Sequence, residues 1–238
     1  MQLIKNNKLG SIYIDVSGNL SAIGAVMLVE EAVTELLGNM ELDGISLERK
    51  YGAVWVYTKT RVKLLKDIKW DAPYTLTSFI SRKSRAGINI DVAIENENKE
   101  LCSYARVELC AIDVKELKIR RTNEVGVDDS IEAHEPWIDF SFARYTKVEY
   151  EKVDEVKIKF SNIDFMKHTN NKEYVRFIMD TYTVDELLCK PIKELEVVYY
   201  NQSYEGNILS ISKTVNESSE LFTVDRDETI IVKAEIIR

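Results

Sequence analysis

The sequence predicts an α+β protein in which one architecture occurs twice, a long helix followed by antiparallel strands. Three observations carry that expectation. Residues 21–37 repeat apolar side chains at three- and four-residue spacing. The stretches 53–65, 73–80, 87–94 and 101–114 have the composition and phase of strands. The same order of extended segment, helix and strands then returns after residue 151. The expected boundaries are a first domain over 1–122, a linker over 123–150 and a second domain over 151–238.

Residues 9–17 read as a short extended segment with Ile12 and Ile14 apolar. The helix after it, about Ser21 to Leu37, sets Ala22, Ala25, Val26, Val29, Ala32, Val33 and Leu36 on one face. Glu30, Glu31 and Glu35 fall mostly off that face, and Gly38 is a natural stop. A helix this apolar belongs in the curve of a sheet. In 53–65, Val54, Val56, Val62 and Leu64 are expected on one side, with Trp55, Tyr57, Lys59, Arg61 and Lys63 on the other. The strand over 87–94 has Ile88, Ile90, Val92 and Ile94 in phase, and a turn at 95–99 joins it to 101–114 as a hairpin.

Residues 115–150 lose regular periodicity. Their start is basic (Lys115, Lys118, Arg120, Arg121), and their middle is acidic (Asp128, Asp129, Glu132, Glu135, Asp139). Trp137, Ile138, Phe140 and Phe142 are expected to pin this linker to the surface. In the second half, 153–160 is extended and a helix covers 171–182. A short turn at 185–188 is stopped by Pro191. Strands follow over 194–200, 208–215, 221–224 and 229–237. Leu195, Val197 and Tyr199 share a face, and Ile230, Val232, Ala234 and Ile236 are in phase. Ile14-Asp15 and Ile163-Asp164 precede the two helices by similar distances, and laying one on the other puts Asn19 where the second half has His168. The first half then has the acid without the imidazole.

A net charge of −8 over 238 residues argues against a general nucleic-acid surface. The first residues lack the apolar run of a signal peptide. No apolar run approaches the ~20 residues that span a bilayer, so the expected setting is cytoplasmic, without a membrane. Cys102, Cys110 and Cys189 are odd in number and scattered, which makes neither a disulfide framework nor a CxxC site. With His134 and His168 the only imidazoles, no metal site is expected. Cys189 reads as a small buried apolar residue rather than a thiol nucleophile.

The chemistry-bearing stretch is Asn162 to Tyr182. Its first half is polar and rich in cap residues; its second half has helical spacing, with Tyr174, Val175, Ile178 and Tyr182 on one face. Asn170 or Asn171 can cap that helix. An acid, an imidazole and two carboxamides therefore gather where a helix start offers free N–H groups. Taken alone, Asp164 reads as a cap or turn residue.

Asp164, His168, Asn170, Asn171 and Tyr174 stand as D-x-x-x-H-x-N-N-x-x-Y. That pattern resembles the signature of acyl-acyl carrier protein thioesterases, most sharply over 162–182. The resemblance implies two fused hotdog domains, each a curved antiparallel sheet wrapped on a long helix. It implies hydrolysis of fatty acyl-acyl carrier protein thioesters to free fatty acid, as in fatty acid biosynthesis, with no cofactor. Asp164 and His168 would then be catalytic, by assisted water or carboxylate attack. Backbone N–H groups at Asn170 and Asn171 would meet the developing oxyanion. Tyr174, Phe177 and Ile178 would wall the acyl pocket.

Two positions depart from the family pattern. The Asn usual two residues before the His is Met166 here. The Glu of a Tyr-x-x-Glu context falls on Gln202, or on Ser203 if the register slips by one. Gln202 can orient a water but cannot take its proton. Acyl carrier protein is acidic, so Arg82, Lys83 and Arg85 are the expected docking cluster, ahead of Lys115 to Arg121. The alternatives are a thioesterase for acyl-coenzyme A and a non-catalytic acyl-binding protein. A monomer and a homodimer both fit.

Overall fold

The structure, a computed structural model, describes residues 1–143, 145 and 148–238. The chain forms two compact units, Met1–Ser141 and Phe142–Arg238, and that division falls inside the expected linker.

The first unit runs β1 (Gln2–Lys8), α1 (Ala22–Asn39), α2 (Gly44–Tyr51), β2 (Ala53–Leu64), β3 (Pro73–Lys83), β4 (Ile88–Asn96), β5 (Leu101–Asp113) and β6 (Ile119–Arg120). Its antiparallel sheet has the order β1-β3-β4-β5-β2, with β6 beside β5. Ser21 caps α1, its hydroxyl accepting from the Gly24 N–H at 2.8 Å. Ala25, Val26, Val29, Ala32, Val33 and Leu36 are buried, and the Ser78 hydroxyl on β3 donates to the Ala32 carbonyl. Gly24 permits a close approach, since a Cβ there would lie 1.9 Å from the Tyr13 carbonyl oxygen.

Several expectations change. The first strand is Gln2–Lys8, while 9–17 holds a 3-10 turn at Ser11–Tyr13 and a tight loop, with Ile12 exposed. Gly38 lies inside α1, which ends one residue later with Met40 as its cap, and the positive φ falls at Glu41. Helix α2 was not expected; Asp43 starts it by accepting from Ile45 and Ser46 N–H. In β2 a bulge between Tyr57 and Lys59 inverts the phase. Ala53, Thr60 and Val62 are therefore the buried positions, and Val62 does not share a face with Val54.

Residues 134–141 lie over the other face of this sheet. Trp137 stacks on Phe79, and Phe140 meets the Tyr104 ring edge-on at 5.7 Å. Beneath them Asp91, fully buried, accepts from Ser81, Tyr104 and both Nε and Nη2 of Arg106. Arg106 also donates to the Phe140 carbonyl.

The second unit runs β7 (Glu151–Lys157), α3 (Asn171–Met179), α4 (Val184–Cys189), β8 (Glu194–Tyr199), β9 (Ile208–Val215), β10 (Glu220–Arg226) and β11 (Thr229–Ile237). Its sheet order, β8-β11-β10-β9-β7, repeats the first unit strand for strand. One constant shift in numbering carries β1 onto β7, the 3-10 turn Ser11–Tyr13 onto Phe160–Asn162 and the start of α1 onto that of α3. Leu195, Val197, Val232, Ala234 and Ile236 are buried, as are Tyr174, Phe177 and Ile178 of α3. A bulge between Val224 and Asp225 pairs Asp225 with Ile230, so Ile230 leaves the phase of Val232. Helix α3 ends at Met179, three residues before the expected end, and Cys189 is exposed at the end of α4. Among the described residues no helix is long and apolar enough to cross a membrane.

Candidate active site

The site begins in a loop that the backbone closes on itself. Ile163 and Thr169 form an isolated antiparallel bridge. The Asp164 N–H donates to the His168 carbonyl at 2.9 Å, and Lys167 N–H to the Asp164 carbonyl at 3.0 Å. Asp164 Oδ1 accepts from the N–H of Met166 at 2.8 Å and of His168 at 3.2 Å. This is an Asx turn, with Lys167 taking the left-handed conformation (φ 65°) that the turn requires. The first unit has the same device: Ile14 bridges Leu20, Asp15 Oδ1 accepts from Ser17 N–H, and Gly18 holds φ 75°. Asn19 occupies the His168 position there, as the sequence overlay implies.

Beyond the loop, Asn170 caps α3 through Oδ1, which accepts from Lys172 N–H at 3.2 Å. The Asn170 N–H donates to the Asn162 carbonyl, and Glu173 N–H to the Asn170 carbonyl, both at 2.9 Å. The Asn171 N–H is not among these bonds. Asn170 is thus committed to the cap, and Asn171 opens the helix half-buried.

The chain leaving β8 comes alongside. Thr169 N–H donates to the Ser203 carbonyl at 2.9 Å. Ser203 is fully buried, and its hydroxyl lies 2.7 Å from Thr169 Oγ1 and 2.9 Å from the Tyr174 hydroxyl. Burial pushes the Tyr174 hydroxyl above its ordinary range, against the Ser203 and Thr169 bonds. It therefore stays protonated and holds the cluster together. Gln202 and Tyr204, on either side of Ser203, are exposed. The Tyr204 ring meets the His168 imidazole edge-on, with centroids 5.2 Å apart and planes at 72°. The Tyr204 hydroxyl donates to Gln202 Oε1 at 3.4 Å.

Residues 145–236 match the family model of the acyl-ACP thioesterase C-terminal domain. That match spans nearly all of the second unit. Among solved structures, an acyl-ACP thioesterase from Bacteroides thetaiotaomicron superposes with a TM-score of 0.91 at 17% identity, covering 99% of this chain and 97% of that one. A 12:0-ACP thioesterase from Umbellularia californica gives 0.87 at 14% identity, covering 99% and 96%. At such identities these likenesses speak for the fold, two hotdog domains of α+β class. No curated protein matches the sequence.

His168 lies in the loop before α3, and Tyr204 touches both its imidazole and Gln202. Asp164 is turned into the loop by its backbone bonds. Tyr174, Phe177 and Ile178 are buried, and the Tyr174 ring lies 6.5 Å from Phe177 and 6.4 Å from Tyr199 of β8. Arg82, Lys83 and Arg85 sit in the β3–β4 hairpin of the first unit. Arg82 and Arg85 are exposed, while Lys83 donates to the Asp128 carbonyl at 2.7 Å. Sequence reasoning did not single out Tyr204. Its one signal was an aromatic residue two places beyond Gln202 in a polar, turn-forming stretch.

Proposed function

We propose that this chain hydrolyses fatty acyl thioesters carried on acyl carrier protein. The observation that supports the reading is that Tyr204 touches both His168, in the loop before α3, and Gln202, in a unit that matches the acyl-ACP thioesterase C-terminal domain. In the proposed step His168 takes a proton from water as the oxygen attacks the thioester carbonyl. The Asn171 N–H, at the positive end of α3, meets the developing oxyanion. The tetrahedral intermediate collapses, the C–S bond breaks, and the proton passes from His168 to the departing thiolate. Fatty acid and carrier thiol leave. Asp164 shapes the loop that presents the imidazole. Tyr174, Phe177 and Ile178 wall the acyl chain, and Arg82, Lys83 and Arg85 dock the acidic carrier.

Wild type and His168→Ala are to be assayed on matched acyl-acyl carrier protein and acyl-coenzyme A thioesters. Turnover of the carrier-protein substrates that falls by about 10²-fold or more in the folded variant supports the reading. Preference for coenzyme A esters moves the substrate to that carrier. Met166 and Gln202, where the family has Asn and Glu, favour one further outcome: acyl binding without turnover in the wild type would make the chain an acyl-binding protein.

A further inference from the structure

Tyr204 is exposed over 44% of its surface, yet its backbone is locked. Its N–H donates to Asn207 Oδ1 at 2.9 Å, and its carbonyl accepts from Asn207 N–H at 3.1 Å. Arg226 on β10 donates to the same Asn207 oxygen at 3.1 Å. Gly206, at φ 84°, completes the turn and donates to the Ile158 carbonyl at 3.0 Å, while Ile158 N–H returns to the Asn207 carbonyl at 2.9 Å. Three parts of the unit thus fix the backbone beneath a partly exposed side chain. That side chain reaches two site groups, the His168 imidazole with its ring and Gln202 Oε1 with its hydroxyl.

We propose that Tyr204 is a positioning residue for this site, an inference that rests on the thioesterase reading above. Its ring restricts rotation of the imidazole, because an edge-on contact has a preferred geometry. Its hydroxyl fixes the sense of the Gln202 amide. An amide has one acceptor end and one donor end. With Oε1 turned to the tyrosine, Gln202 presents its NH2 group as a donor to the thioester or its attacking water. A glutamine that cannot take a proton is thereby set up as an orienting donor.

The test uses Tyr204→Phe, which keeps the ring, and Tyr204→Leu, which removes both contacts. The chain holds 2 histidines, so ring-labelled protein gives two imidazole signals, and His134→Asn assigns them. Tyr204→Phe should lower kcat roughly three- to tenfold with KM little changed, the effect of one lost hydrogen bond. Its His168 signal should stay in place. Tyr204→Leu should lower kcat further, by roughly 30-fold, and move the His168 signal alone. Neither should shift Tm by more than about 3 °C. Unchanged kcat in Tyr204→Leu overturns the proposal. So does lost activity that tracks a falling Tm while the His168 signal stays put. If the wild type hydrolyses none of the thioesters, the thioesterase reading falls on its own. The ring signal then still decides whether Tyr204 holds His168, a shift in the leucine variant alone supporting it and no shift overturning it.

Discussion

Asp164 and His168 are joined through the main chain. Asp164 N–H donates to the His168 carbonyl, and Asp164 Oδ1 accepts the His168 N–H. This is how a turn is built. Asparagine closes an Asx turn as well as aspartate does. Asp164→Asn is therefore expected to keep the loop, change stability by less than about 0.5 kcal/mol and lower kcat by less than about tenfold. Asp164→Ala removes the acceptor and should cost about 1 kcal/mol. Thermal melts and steady-state rates on one acyl thioester check both. A loss in Asp164→Asn as deep as that in His168→Ala would make the carboxylate charge part of the chemistry.

Ser203 occupies a position where a nucleophile is imaginable, and the structure assigns it other work. It is fully buried, and its neighbours Thr169 and Tyr174 are hydroxyls, neither a base. Ser203→Ala is expected to destabilise the protein by about 1–3 kcal/mol, because it leaves buried hydroxyls short of a partner. No acyl-enzyme should accumulate in the wild type. Mass spectrometry of protein quenched during turnover checks this, and an acyl adduct on Ser203 would reverse the assignment.

The repeat, the long helix α1, the start of α3 and most strands were legible because apolar spacing carries that information. The bulges were not. Val54 to Leu64 and Ile230 to Ile236 each look like unbroken alternation, yet an extra residue in one strand flips every later side chain. Asp164 and His168 could be named because the motif that carries the family resemblance is local, and Gln202 only through that resemblance. Tyr204 could not, because its meaning lies in contact with a residue 36 positions earlier, across the join between the 163–169 loop and the end of β8. The turn role of Asp164 was readable in principle from Asp15, whose loop is built the same way.

Gly24 tests the packing of the first unit's helix start. A Cβ at this position would lie 1.9 Å from the Tyr13 carbonyl oxygen and 2.6 Å from its carbon, both backbone atoms with little freedom to move. Alanine normally favours a helix over glycine by about 1 kcal/mol. Here Gly24→Ala is expected to destabilise by about 1–3 kcal/mol instead, since overpacking outweighs propensity. Gly38, also in α1, has open space around it, so Gly38→Ala should be neutral or stabilising. Denaturant midpoints of the two variants check the contrast, and matched behaviour would refute it.

Glu220 gives the second unit a pH-dependent tie. Burial alone would raise its carboxyl pKa, but Lys213, Tyr182 and Arg238 outweigh burial and hold it below its ordinary value. Tyr182 donates to one carboxylate oxygen, and Arg238 Nε to the other at 2.8 Å. Lys213 stands over the Tyr182 ring at 4.7 Å. Because the folded pKa is depressed, the stabilisation is fully present above the ordinary carboxylate value of about 4.3. It is lost as pH falls through the lower folded value. Glu220→Gln removes the charge but keeps an acceptor for Tyr182. It is expected to cost about 2–4 kcal/mol at pH 7, where it leaves two cations with less compensation. The gap between variant and wild type should narrow steadily below about pH 4, where the wild-type carboxylate also becomes neutral. Urea titrations of both proteins at several pH values measure that gap. A difference that holds constant down to about pH 2.5 would mean the loss comes from packing and not from charge.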